Sequence, residues 1–269
     1  MIITSKDNEQ IKHIRKLKDK KFRDKQGEFF VEGMKLVREA IDEKADIRTI
    51  VICDECAETG RFEPKDLYEI AKHNCLYVSE KVFNHICDVQ NPQGILAVIG
   101  KMQNTKKIEY NEDLIVILDG VQDPGNMGTI LRTLDSVGLS QVIVSDICVD
   151  VYNPKVVRAT MGAVFRINII ESEDLTETIK DLKKNKIEIV VTALDTNKSI
   201  YDVEYKKMAI IIGNEVNGVS PELVKLADKK AKIPMFGRTE SLNAAVAASV
   251  VLYEYVRQKV TKSSSKETK

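Results

Sequence analysis

Continuous apolar runs in the second half of the sequence limit the folds open to this chain more than any other feature. Six segments rich in Val, Ile and Leu are predicted to be β-strands: Leu114–Leu118, Gln141–Val144, Ile167–Ile170, Ile187–Thr192, Met208–Ile212 and Lys232–Ile233. Such runs are typical of strands buried on both faces, and here they alternate with segments of helical periodicity. The pattern predicts an α/β domain with a mostly parallel sheet at residues 114–260.

Residues 1–100 also alternate helical and extended patterns, which predicts a smaller α/β domain. Thr4 to about Lys25 has helical periodicity, and short strands follow. Residues 101–113 are polar and lack an apolar period, so we expect a linker there. The tail at 261–269 has the Ser- and Lys-rich composition of a disordered segment.

The formal net charge of the 269 residues is zero, but the charges are unevenly distributed. A basic stretch near the N-terminus contains Lys12, Arg15, Lys16, Lys18, Lys20, Lys21 and Arg23, among others, opposed only by Asp19 and Asp24. Two interpretations stay open for it, a solvated helix face or a phosphate-binding surface.

Several classes of protein are disfavoured by the sequence. It has no run of about 18 apolar residues that would span a membrane, and charged residues begin too early for a secretory signal. The five cysteines read as reduced thiols, so we expect a cytoplasmic protein. Cys53 and Cys56 have the spacing of half a zinc site, but no second tight pair exists and Cys53 continues an apolar strand. We expect no metal.

Polar loops follow three of the predicted strands. The first passes from Leu118 through a Gly/Pro/Asn turn into a helix on which Arg132 lies nearly opposite the apolar stripe. An ordinary solvent-facing arginine is equally compatible with that position. The loop lacks the glycine pattern of NAD-binding enzymes and the lysine of a P-loop, which disfavours a nucleotide-dependent α/β enzyme.

The other two loops have polar residues close to helix starts. Gly213 ends an apolar strand, and Asn214 and Glu215 follow it. Ser241 is a natural N-cap, with Asn243 in the first turn of the helix it would begin. Each loop alone is compatible with an ordinary turn. Ligands bind at the carboxyl ends of strands in open α/β sheets, so together the loops indicate an active site.

These segments resemble the three sequence motifs of the SpoU (TrmH-like) RNA ribose methyltransferases of the SPOUT superfamily. The matches are Asn126-x-Gly128-x-x-x-Arg132, then Gly213-Asn214-Glu215-x-x-Gly218, then Ile233-Pro234-Met235 with Ser241-Leu242-Asn243. The first domain resembles the family's ribosomal-protein-like RNA-binding domain through Phe29-Phe30-Val31-Glu32-Gly33 and Asn91-Pro92-Gln93-Gly94-Ile95.

The resemblance implies a trefoil knot in the C-terminal domain, a homodimer formed through that domain with the active site near the subunit interface, and S-adenosylmethionine (AdoMet) as cofactor. The cofactor-binding residues it implies are Thr192, Ala193, Gly213, Asn214, Ile233, Met235, Ser241, Leu242 and Asn243. The catalytic residues it implies are Arg132, Asn126, Glu215, Ser241 and Asn243, and the basic stretch would contact RNA phosphates.

The implied reaction is methylation of a ribose 2′-hydroxyl in RNA, with ribosomal RNA favoured over transfer RNA. Arg132 resembles the arginine that activates the hydroxyl. Arginine is a poor base, so stabilising a phosphate or an alkoxide is an equal alternative. A tRNA methyltransferase and a non-catalytic RNA- or ribosome-binding protein of the same fold remain alternative functions.

Overall fold

The computed structural model describes residues 2–58, 62–102 and 107–267. The chain forms two compact units. Unit 1 contains Met1–Gln103 with Asp150–Phe165, and unit 2 contains Asn104–Val149 with Arg166–Lys269. Within the described ranges, no helix combines the length and apolar character needed to cross a membrane.

Unit 2 is built on a six-stranded sheet flanked by helices. Its strands are β6 (Leu114–Leu118), β7 (Gln141–Ser145), β8 (Asn168–Ser172), β9 (Glu188–Thr192), β10 (Met208–Ile212) and β11 (Lys229–Ala231). Its helices are α7 (Pro124–Ser136), α9 (Leu175–Lys184), α10 (Pro221–Leu226) and α11 (Ala244–Glu267), with a short 3-10 helix at Ile200–Asp202. The strand order is β11-β9-β10-β6-β7-β8, and every pairing is parallel.

All residues of the central strands β6 and β10 are buried, as the continuous apolar runs predict. The predicted α/β class with a mostly parallel sheet is confirmed.

The order of the strands in the sheet determines which loops lie close together. The carboxyl ends of β11, β9, β10 and β6 lie in succession along one edge, which brings together the loops that follow them.

The last strand and the chain's end differ from the sequence prediction. β11 ends at Ala231, opposite the last residue of β9, so Lys232 forms only an isolated bridge to Ser199 instead of starting a strand. Helix α11 continues through Glu267, where composition predicts disorder from Thr261. The buried first part of the helix provides the costly nucleus, and further turns then add one hydrogen bond per residue. Residues 268–269 lie outside the described range.

The second half of the predicted linker packs on unit 2. Residues 103–106 lie outside the described ranges, but Ile108 is buried against the core of unit 2. The side chain of Gln141 accepts from the Glu109 N–H at 2.9 Å and donates to its carbonyl at 2.6 Å. These contacts fix the second half of the segment on unit 2.

Unit 1 contains a five-stranded mixed sheet. Its strands are β1 (Ile2–Ile3), β2 (Glu28–Glu32), β3 (Ile47–Cys53), β4 (Cys75–Val78) and β5 (Ile95–Gly100), in the order β1-β4-β3-β5-β2. Its helices are α1 (Glu9–Lys16), α2 (Lys20–Gln26), α3 (Met34–Asp42), α4 (Asp54–Glu58), α5 (Pro64–Ile70), α6 (Glu80–Ile86) and α8 (Pro154–Thr160), with a 3-10 helix at Ala163–Phe165.

The segment Asp150–Phe165 belongs to unit 1 although the sequence places it within the second predicted domain. Helix α8 packs on β2, and the rings of Tyr152 and Phe29 are 4.8 Å apart between centroids. Buried aliphatic side chains such as Val157 need such a partner surface, and the N-terminal sheet supplies it.

Arg23 does not belong to an exposed basic surface. The predicted N-terminal helix is interrupted, because the Asp19 carboxylate accepts the Phe22 N–H at 3.0 Å and caps a second helix, α2. The Arg23 side chain is 2% exposed. It is ion-paired with Asp150 and donates to the carbonyls of Leu17 and Lys18 at 2.7 and 2.8 Å. Its role is structural, and the RNA-binding assignment was wrong.

Arg23→Met is expected to lower the free energy of unfolding by about 3–5 kcal/mol, because Asp150 would be left buried without its cation. Urea denaturation followed by circular dichroism measures this. Lys21→Met, on the exposed side of the same helix, is the matched control and should change stability by less than about 0.5 kcal/mol. Equal stabilities for the two variants would contradict the buried-pair assignment.

Candidate active site at the strand ends

The first loop connects β6 to α7 and is anchored at its helical end. The Asp123 carboxylate accepts the Asn126 N–H at 2.8 Å, and Pro124 occupies the first helical position, where no N–H is needed. This cap fixes Asn126 in the first turn, with its side chain 8% exposed. Gly120, at φ +70°, supplies the left-handed turn that leads the chain out of the strand.

The second loop, after β10, folds back on itself. Backbone hydrogen bonds join Asn214 and Gly218 in both directions, at 2.9 and 3.0 Å. The Asn214 side chain accepts the N–H groups of Val216 and Asn217, both at 3.0 Å. A Cβ atom on Gly213 would lie 2.2 Å from the Gly218 carbonyl carbon, so only glycine permits this fold.

Asn214 and Asp119 join the first two loops. The Asn214 amide donates to the Gly120 carbonyl at 2.8 Å. The buried Asp119 carboxylate accepts the Ser220 N–H at 2.7 Å and so holds the start of α10. Asp119 lies outside the motifs from which the site was predicted. Its place at the end of a buried strand was the available signal, since a carboxylate there needs a hydrogen-bond donor.

Glu215 makes the most extensive contacts between these loops. Its carboxylate accepts the N–H groups of Gln122 and Asp123 at 3.3 and 3.2 Å, and the Asn126 side-chain amide at 2.9 Å. Burial acts to raise the pKa of Glu215, but the donors from Asn126 and the backbone outweigh it and lower the pKa below its usual value. The carboxylate is therefore ionised at neutral pH.

The third loop joins the same network through Asn243. Its side-chain amide donates to Asn126 Oδ1 at 2.9 Å. Asn126 thus uses its donor end on Glu215 and its acceptor end on Asn243. We call the three side chains Asn243, Asn126 and Glu215 the amide relay. It brings together one predicted catalytic residue from each sequence motif.

Asn243, and not Ser241, caps the final helix. Its Oδ1 atom accepts the N–H groups of Ala245 and Val246 at 2.9 and 3.2 Å, and α11 begins at Ala244. The expectation that Ser241 caps this helix was wrong. A serine followed by Leu-Asn offers two candidate caps in sequence, and the relay contact to Asn126 favours the second.

A cleft of about 190 Å³ opens beside the relay at the ends of β9, β10 and β11. Of the predicted cofactor-binding residues, Thr192, Ala193, Gly213, Asn214, Ile233, Met235, Ser241 and Leu242 line it, and Asn243 does not. Glu215, predicted as a catalytic residue, lines it too. The other lining residues were not predicted as site residues: Leu194, Ile212, Val216, Gly218, Ala231, Lys232, Ala244 and Ala247. Small and aliphatic walls with polar strand ends fit an adenosine, which needs an apolar slot and a few backbone partners.

Arg132 is separate from both the relay and the cleft. It lies on the exposed face of α7, as the helical pattern predicts, and it does not line the cleft. Within the part of the chain that the structure describes, its guanidinium has no ion pair or hydrogen bond. The group is therefore available to a ligand or partner outside this chain.

The remaining basic residues of the N-terminal stretch differ in how firmly they are held. Lys12 pairs with Glu9 at 3.1 Å, and Lys18 donates to the Cys87 carbonyl at 2.5 Å. Arg15 lies 2.8 Å from His85; burial and the Arg15 charge lower the pKa of that imidazole.

Three lysines of this stretch have looser surroundings. The Lys16 ammonium stands 5.7 Å from the centre of the Phe22 ring. Lys20 and Lys21 are exposed and have no protein partner among the described residues. These two have the most freedom to meet phosphates.

The Cys53 and Cys56 thiols lie 2.7 Å apart inside unit 1, in a cluster that also contains Cys87. Burial, aided by a hydrogen bond with Cys56, raises the pKa of Cys53 to about 12. The described ranges contain no group of three or more His, Cys, Asp or Glu side chains arranged to hold a metal ion.

Asn243→Ala should lower the free energy of unfolding by about 1 kcal/mol through loss of the helix cap. Asn243→Asp should keep that stability, because the carboxylate still caps, but should weaken cofactor binding because it cannot donate to Asn126. Thermal unfolding and calorimetric titration with AdoMet separate the two effects. Ser241→Ala is the control for stability, and a loss equal to that of Asn243→Ala would contradict the cap assignment.

Comparison with known proteins agrees with this geometry. The model of the SpoU rRNA Methylase family matches residues 113–253, and the model of the MRM3-like substrate binding domain matches residues 8–97. The 23S rRNA (guanosine(2553)-2′-O)-methyltransferase RlmP of Bacillus subtilis is 32% identical, covering 93% of this chain and 97% of that protein.

Solved structures agree in fold. The AdoMet-bound rRNA methyltransferase of Sinorhizobium meliloti is 33% identical with a TM-score of 0.82, covering 96% of this chain and 98% of that one. The A. aeolicus TrmH/SpoU tRNA modifying enzyme is 32% identical with a TM-score of 0.51, but covers only 57% of this chain and 78% of that one. The family model for the catalytic domain spans more than half of the sequence, and this chain belongs to the SpoU rRNA methylase family.

Proposed function

We propose that this protein transfers the methyl group of AdoMet to a ribose 2′-hydroxyl of ribosomal RNA. The observation that carries the proposal is the amide relay, which joins the three family motifs beside a cleft at the strand ends. AdoMet supplies an already electrophilic methyl group. The protein's tasks are to position the hydroxyl in line with it and to help remove the hydroxyl proton.

The cleft residues would hold the cofactor. Leu194, Ile233 and Leu242 provide apolar surface for a flat adenine, and backbone groups at the ends of β9, β10 and β11 provide hydrogen bonds. The alanines of the wall, such as Ala244 and Ala247, leave the room that larger side chains would fill.

The relay residues act as positioning groups. Glu215 is ionised, and its contacts hold the first loop against the second, which fixes Asn126. Asn126 and Asn243 would orient the ribose beside the cleft. Each of these two side chains is held by its neighbours at both ends of its amide, so the site is organised before substrate arrives. Ser241, at the cleft wall, would contact the cofactor.

Arg132 supplies positive charge to the reaction. Its guanidinium stays protonated at any physiological pH, so it serves better as a donor than as a base. With no partner inside the described chain, it binds the phosphate beside the target ribose and stabilises the negative charge that develops on the 2′-oxygen.

Arg132→Ala should reduce the single-turnover methylation rate by roughly 10²–10³-fold while AdoMet affinity stays unchanged. The readout is transfer of radiolabelled methyl groups to ribosomal RNA, with alkali resistance of the labelled nucleotide showing that the 2′-hydroxyl is modified. Ser136→Ala, on the same helix, is the control and should match the unmodified protein. Full activity of Arg132→Ala would exclude the proposed role.

The choice of ribosomal over transfer RNA rests on the N-terminal unit. RlmP and the Sinorhizobium meliloti enzyme, which match nearly the whole chain, are named as rRNA methyltransferases. The A. aeolicus tRNA modifying enzyme matches little more than half of it. All five cysteines are in the thiol form, which fits the reducing cytoplasm where we place the protein.

We also propose that the basic face of α1 and α2 contacts the RNA backbone, mainly through Lys20 and Lys21. Replacing both with alanine should reduce the slope of log K against log salt by about 1–2, because two phosphate contacts are lost. Filter binding of 23S rRNA at several salt concentrations measures it. Lys180→Ala with Lys184→Ala removes equal charge from α9 as a control, and identical slopes for both doubles would exclude this surface.

A homodimer through unit 2 is supported by an apolar stripe on α11. Val246, Tyr253 and Val260 recur every seven residues on one helix face, and they are 49%, 56% and 60% exposed. A second copy would cover this stripe. A monomer in sedimentation equilibrium at micromolar concentration would contradict the dimer.

We also propose that the chain of unit 2 forms a trefoil knot. Lys232, directly after β11, exchanges backbone hydrogen bonds with Lys198 and Ile200 in the loop that follows β9. The chain passes beside that loop before it enters α11, as the family's threaded topology requires. An unthreaded path in a crystal structure would contradict the knot.

A further inference from the structure

The loop between β11 and α11 has an unusual exposed segment at its tip. Met235 and Ser241 both line the cleft, so residues 236–240 start and end at its rim. All five are exposed. No hydrogen bond to any described residue holds residues 236–241, and a Cβ atom on Gly237 would meet nothing within 4 Å. The segment is thus free to respond to a ligand at the cleft.

Phe236 is the anomaly within this segment. Its side chain is 100% exposed, whereas the other six phenylalanines of the chain are buried or half-buried. Nothing in the described chain covers this ring, so its apolar face is open to the surface of a ligand that arrives at the cleft rim.

The chemistry of the site identifies that surface. The target 2′-hydroxyl must enter the cleft region to reach the cofactor, and proteins that select one nucleotide in RNA act mostly on single-stranded loops or bulges, whose bases can be unstacked. Once unstacked, a base loses its stacking partners, and proteins that read single-stranded RNA replace them with exposed aromatic rings.

We propose that Phe236 is the stacking platform for the base of the nucleotide delivered to the cleft, or of its immediate neighbour. Exposed Arg238, two residues away, supplies a cation for the adjoining phosphate. Val216, 88% exposed on the cleft rim, continues the apolar surface on the second loop. Glu240 adds one negative charge, which suits a base edge better than a phosphate. The inference rests on the proposed ribose methylation.

The test compares Phe236→Ala, Phe236→Leu and Phe236→Tyr in single-turnover methylation of 23S rRNA from cells that lack this gene. The RNA concentration for half-maximal rate should rise roughly 10- to 100-fold for the alanine and leucine variants, because stacking is lost. The tyrosine variant should stay within about 3-fold, since it retains a stacking ring. Tyr201→Leu, an exposed aromatic on the same unit, is the matched control and should behave as the unmodified protein.

Two further measurements distinguish an RNA base from the other partners that Phe236 could contact. AdoMet affinity by calorimetry and molecular mass by sedimentation should be unchanged in all variants. An altered AdoMet affinity would make Phe236 a cofactor contact, and a changed mass would make it a subunit contact; either overturns the inference. A leucine variant as active as the tyrosine variant would also overturn it. Absence of methylation by the unmodified protein would instead reject the proposed function.

Discussion

The side-chain amide of Asn126 lies between a hydrogen-bond acceptor, the Glu215 carboxylate, and a hydrogen-bond donor, the Asn243 amide. Glu215 requires a donor, and the Asn243 amide requires an acceptor, and one asparagine satisfies both at 2.9 Å. Because an amide has one donor end and one acceptor end, this arrangement fixes its orientation. Three loops that are far apart in sequence are thereby held in one geometry, and the cleft wall depends on that geometry.

The relay is possible because the parallel sheet brings the loops together. β6, β10, β9 and β11 are neighbours, so their carboxyl ends meet at one edge although they are spread over residues 114–231. A cap or a glycine then stabilises the backbone of each loop. Asp123 and Asn243 accept hydrogen bonds from N–H groups at the starts of helices, and Gly213 lets the second loop close. The negative charge of the ionised Glu215 is stabilised by the hydrogen-bond donors that surround its carboxylate.

Much of this was predictable from sequence, and the failures have physical reasons. Continuous apolar runs predicted the strands of unit 2 because burial on both faces leaves a direct signature. Arg23 was placed on a basic surface because its neighbours are lysines, whereas its partner Asp150 is far away in sequence. Ser241 was chosen as the cap because local preference could not register the contact of Asn243 with Asn126. In both cases a contact between residues far apart in sequence determines the structure, and no local sequence pattern encodes such a contact.

Mapping 2′-O-methylated nucleotides in ribosomal RNA tests the central claim most directly. RNA would be compared from cells with the gene, without it, and with the gene restored. Our account predicts that one ribose methylation disappears on deletion and returns with the restored gene, but not with a copy whose relay is broken by Asn126→Ala. Identical methylation maps in all strains, or full rescue by the Asn126→Ala copy, would contradict it.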